Sequence, residues 1–149
     1  MNDNIPLINC QRNLAIVWYI GSAILFVILL AQTFNGEFDG DNKVAWGWFY
    51  PTVLPTLLLI TGAVISQASQ ANQSHTVKKF VYHLALYSSW FYLVLVLLSL
   101  VFTYVRGARR VDALSDSNLW LGPVQGLVGG VLGYFFTSSR SQNSAPEGG

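Results

Sequence analysis

The sequence predicts an all-α integral membrane protein: an antiparallel bundle of four transmembrane helices, with short loops and a kinked second helix. Three observations predict it. Of 149 residues, 52% are hydrophobic and only 10% are charged, whereas soluble domains carry roughly a quarter charged residues. Four apolar blocks recur along the chain, each near the ~20 residues that cross a hydrocarbon core. None of the blocks contains Asp, Glu, Lys or Arg, and none alternates with the period of a β-barrel strand. Lipid offers no partner for backbone polar groups, so spans of this kind are helices.

The blocks cover about residues 13–34, 51–68, 80–105 and 119–137, within a membrane domain of residues 1–137. The polar tail, 138–149, is rich in small residues and reads as disordered. The first block is too long for the apolar core of a signal peptide, and no small-x-small cleavage site follows it. "LINC" at residues 7–10 has no apolar run ahead of it, so it does not read as a lipoprotein box.

Four spans put both ends of the chain on one side. Arg12, Lys78, Lys79 and Arg140 then oppose Lys43, Arg106, Arg109 and Arg110, a tie under the positive-inside rule. One reading of the tie is insertion in both orientations; the plainer one is a weak bias set by other features. The first loop carries Glu37, Asp39 and Asp41 on the same face as Arg106, Arg109 and Arg110. Pairing between these loops would neutralise the arginines as topology signals. The termini are then cytoplasmic, in a bacterial inner membrane, and the Asn72-Gln73-Ser74 triplet has no glycosylation role.

The second block opens on "WGWFYPTVLPT". A helix starting near Tyr50 puts Pro51 in its first turn, where a missing N–H costs nothing. Pro55 then frees the carbonyl of Pro51, with Thr52 and Thr56 ready to satisfy it. Trp46, Trp48, Phe49 and Tyr50 would anchor this bent entry at the headgroups. Thr52, Thr56 and Ser66 share one face of the helix.

The third block carries Ser88, Tyr92, Ser99 and Thr103 on one face, leading to Arg106. Such a stripe suits the lining of an oligomeric pore. It equally suits polar packing between helices in lipid, the commoner use. In the fourth block Gly122, Gly126 and Gly130 recur every four residues, with Gly129 and Gly133 as an offset pair. Glycines at this spacing open a groove for a neighbouring backbone, and Gln125 lies beside it.

Several classes are excluded. A net charge of +1 offers no basic stripe for nucleic acid. Cys10 is the only cysteine, and His75 and His83 lie eight positions apart with no acidic neighbour, so neither a metal nor another cofactor is expected. No nucleophile motif is present, which reads as a non-enzyme. Proton-coupled exporters need a carboxylate inside the membrane, and the four blocks hold none. The expected function is a small non-enzymatic membrane protein that forms a homo-oligomer, as a pore or membrane-permeabilising effector. The alternative is a structural or accessory subunit docking to another membrane or cytoplasmic protein through the fourth helix. In either case the lipid bilayer is a partner.

Overall fold

The computed structural model describes residues 4–38, 40–68, 76–105 and 110–138. Among them are four helices: α1 (Leu7–Phe34), α2 (Asn42–Ala68), α3 (Lys79–Val105) and α4 (Arg110–Ser138). Each is long and apolar enough to cross a membrane. A short antiparallel pair joins β1 (Asn4–Pro6) to β2 (Thr76–Lys78), with Ile5 opposite Val77. It ties the segment ahead of α1 to the segment ahead of α3. Three residues are too few to leave a periodicity, and the sequence gives no sign of this pair.

α2 and α4 begin well before their apolar blocks. Apolarity marks contact with lipid, whereas helical hydrogen bonding continues into polar interfacial sequence. Asp41 immediately precedes α2, and the Val44 N–H donates to the Asp41 carbonyl at 3.0 Å. A carboxylate at that position complements the N-terminal end of the helix dipole. Asp112 lies in the first turn of α4 and does the same there. The early start of α2 corrects the expected role of Pro51: both Pro51 and Pro55 lie inside the helix, so each removes an internal donor.

The turn between α1 and α2 is built by glycine. The Glu37 N–H reaches back to the Gln32 carbonyl at 3.0 Å and the Gly36 N–H to Thr33 at 3.2 Å. This Schellman closure needs a left-handed residue after the helix, and Gly36 supplies it with φ of 71°.

Only 22–39% of each span is buried within the chain, so most of every helix faces outward, as lipid contact requires. The inward faces meet in one core, where Trp18, Tyr92, Leu14, Ile60, Leu100, Leu121 and Leu132 are buried. α3 packs most extensively on α4, α1 touches α2 and α3, and α2 touches α4. Asn13 meets Tyr82, Trp18 stacks near Tyr92 at 5.9 Å, and Gln32 donates to the Leu100 carbonyl at 3.4 Å. Contacts of α1 with α2 pair Tyr19 with Thr61 and Phe26 with Trp46.

Among the described residues the closest approach made by a glycine is at Gly21 on α1, where an added Cβ would lie 2.7 Å from a methyl of Leu93. The tail beyond Ser138, together with Asp39, Arg106 and Arg109, lies outside the described residues. So does the side chain of Arg110, and with it the expected charge pairing between the first and third loops. Of the acidic partners, Glu37 is half-buried and Asp41 exposed.

Candidate functional site

The proline segment of α2 is where polar chemistry gathers. A proline removes its own N–H and its ring presses on the carbonyl four residues back. Pro55 therefore strips the Pro51 carbonyl of its donor and crowds the bond to the next one, on Thr52. Both oxygens receive a side-chain donor from another helix. Gln125 of α4 donates through Nε2 to the Pro51 carbonyl at 2.9 Å. Tyr92 of α3, wholly buried, donates its hydroxyl to the Thr52 carbonyl at 2.8 Å.

Pro51 repeats the problem one turn earlier. It takes the donor from the Gly47 carbonyl and crowds the bond to Trp48. The Thr52 hydroxyl donates to the Trp48 carbonyl at 2.6 Å. The Trp48 indole N–H in turn donates to Ser117 Oγ at 2.8 Å, and the Ser117 hydroxyl donates to the Leu114 carbonyl at 2.6 Å. Thr56 is buried one turn further along α2. The result is a polar girdle that joins α2, α3 and α4 across the core.

The expected residues divide clearly. Thr52, Thr56, Tyr92 and Ser99 are buried, while Ser88 and Ser66 are half-buried. Ser88 and Ser99 donate to carbonyls of their own helix, Ala85 at 3.1 Å and Leu95 at 3.0 Å. Thr103 lies on α3, but its side chain is outside the described residues, as is Arg106. The Pro51 oxygen is met by an amide from α4 rather than by the expected Thr52 or Thr56 hydroxyl. Trp48 and Phe49 are buried in the core, while Tyr50 is exposed. Among the described residues no three His, Cys, Asp or Glu side chains come together as a metal site. The His83 ring Nδ1 is engaged with the Lys79 carbonyl at 2.8 Å.

Gly122, Gly126 and Gly130 are exposed and Gly129 half-buried. At all four, an added Cβ would meet no neighbouring atom within 4 Å. Gly133 is half-buried on the same helix. The groove that these glycines open is thus not filled by the described residues.

Sequence reading missed Ser117 and Asp116, because it left residues 115–118 in a loop. With α4 starting at Arg110, the stretch able to cross the membrane runs from Asp112 to Phe136. Asp112 and Asp116 both lie on this stretch, ahead of the fourth apolar block. A usable signal was present, since Asp116 and Trp120 stand one turn apart and continue the helical register of the apolar block. Comparison of the chain with protein-family models, with curated proteins and with solved structures finds no match.

Proposed function

We propose that this chain is a non-enzymatic multi-pass membrane protein that works by lateral assembly, with the glycine face of α4 as its contact surface and a second copy as the first occupant. One observation carries the reading: Gly122, Gly126 and Gly130 form an exposed groove, with no atom of the described residues close enough to touch a Cβ there. Helix association in lipid is driven by close backbone packing and van der Waals contact, since apolar surface alone gives no preference for protein over lipid. A groove of this kind gains those contacts only when another helix enters it. The same face on a second copy is complementary to it by two-fold symmetry.

The proposal includes helices that alternate in direction, a bend in α2 at its prolines, and both termini in the cytoplasm of a bacterial cell. The β1–β2 pairing supports an even number of crossings between residues 4–6 and 76–78. The α1–α3 pairs Asn13 with Tyr82 and Gln32 with Leu100 advance in step, as alternation demands. An oligomeric pore lined by the α3 hydroxyls has less behind it. Tyr92 and Ser99 are buried inside one chain and donate to backbone carbonyls, which is the packing use of such residues.

Native mass measurement of the purified protein in mild detergent tests the reading. The wild type is expected as a dimer or larger assembly. Gly126→Leu and Gly130→Leu should each weaken it at least about tenfold, or ~1.4 kcal/mol. Leu127→Ala, on an exposed neighbouring face, should not. A monomeric wild type, or unchanged assembly in both glycine variants, would sink the proposal. A glycine-dependent complex with a different membrane protein would instead favour the accessory-subunit role. Liposomes carrying the protein should hold an ion gradient; a flux blocked by Ser99→Leu would return the α3 stripe to a pore.

A further inference from the structure

Across α4 from the glycine groove, a crevice of about 440 Å³ opens between α3 and α4. Its apolar wall is Leu95, Leu98 and Phe102 of α3, and Trp120 closes it from α4. Its side-chain polar groups are the Asp116 carboxylate, the Ser99 and Ser117 hydroxyls and the Trp120 indole N–H. Of these, Ser99 gives its proton to the Leu95 carbonyl. Ser117 gives its own to Leu114 and accepts from Trp48. What is left facing an occupant is a carboxylate, hydroxyl lone pairs and the Trp120 indole N–H, and no Lys, Arg or His is among the described residues that line the space.

A carboxylate on a membrane-crossing helix is costly unless it is paired. Asp116 lies in the second turn of α4, close to the end of the span, so it stands near headgroup depth. The occupant that complements a carboxylate and hydroxyl lone pairs over an apolar wall carries a cationic donor on an apolar tail. A bare divalent ion needs several oxygen ligands, more than one carboxylate and one hydroxyl supply. A primary ammonium brings three donors, and the Trp120 ring adds a face of the kind that attracts cations. The volume lies within the range of small-molecule sites, roughly 300–1,000 Å³.

We propose that the α3–α4 crevice binds a phospholipid with a primary-ammonium headgroup, its ammonium on Asp116 and Ser99 and its chain along Leu95, Leu98 and Phe102. This site is independent of assembly through the α4 glycines, which lie on another face of the same helix.

The test is native mass spectrometry of delipidated full-length protein, titrated with phosphatidylethanolamine, phosphatidylcholine or phosphatidylglycerol of matched chains. Phosphatidylethanolamine is expected to bind at least about tenfold tighter than the other two. Asp116→Asn should erase that preference, Ser99→Ala should reduce it several-fold, and Asp112→Asn, outside the crevice, should leave it intact. Far-UV circular dichroism checks that each variant keeps its helices. If Asp116→Asn does not fold, Ser99→Ala and the wild-type lipid ranking decide alone. Equal binding of the three lipids, or a preference unchanged in the folded Asp116 and Ser99 variants, overturns the site. Displacement of the lipid by millimolar ethanolamine would show a soluble amine site, and would overturn it as well.

Discussion

The carbonyl oxygen of Pro51 is freed by one residue and claimed by another 74 positions away in the chain. Losing that claim should be costly: Gln125→Leu leaves an acceptor on an exposed stretch of a membrane-crossing helix without a donor, at about 1–2 kcal/mol. The control is built into the cause. In a Pro55→Ala background the Ala N–H returns to the Pro51 carbonyl, so Gln125→Leu should cost on the order of 1 kcal/mol less. Unfolding in a detergent titration measures all four members of the cycle. A cost that is the same in both backgrounds would mean that Gln125 contributes packing rather than this bond. Tyr92→Phe removes the donor to Thr52 and keeps the ring against Trp18, so a smaller loss of about 0.6 kcal/mol is expected in the same assay.

At the scale of the helix, glycines divide by what faces them. Gly21 is pressed against Leu93, and Gly21→Leu should overpack the α1–α3 contact by about 1–3 kcal/mol. Gly62, exposed on α2 with nothing within 4 Å, should accept the same change with intact stability. Thermal aggregation in detergent compares the two, and equal losses would remove the α1–α3 contact as the reason. This division was not legible in the sequence. The spaced glycines of α4 drew attention because they repeat, yet the tight contact belongs to a single unrepeated glycine whose partner lies in a distant helix. The helices themselves were legible, since an apolar block of some twenty residues has few other uses. Their starts were not, because Trp46 and Trp48, and likewise Asp116 and Ser117, continue a helix in residues that hydropathy assigns to loops. Thr52 and Tyr92 were found as polar residues on helix faces; their partners depend on which helices adjoin.

For the whole molecule, the acidic first loop and the basic third loop should share one compartment, opposite residues 76–78. In a Cys10→Ser background, Asn35→Cys and Gly107→Cys should label from the same side of intact vesicles, and Thr76→Cys from the other. Any other pattern would mean that one of the four helices does not cross, and the bundle would have to be redrawn.

The Pro51–Gln125 bond also has a consequence for how the chain is made. α2 emerges from the ribosome well before α4, so it first enters the bilayer with an acceptor that nothing on α1 or α2 is shown to fill. Its nascent form carries a vacancy that the last helix closes. Chains truncated after α3 should therefore hold α2 less firmly, and should be degraded faster in cells than the full chain. The extra loss should shrink when Pro55→Ala lets α2 satisfy itself. Synthesis from the first helix to the last is thus written into the bond as an order: α2 stays provisional until α4 arrives.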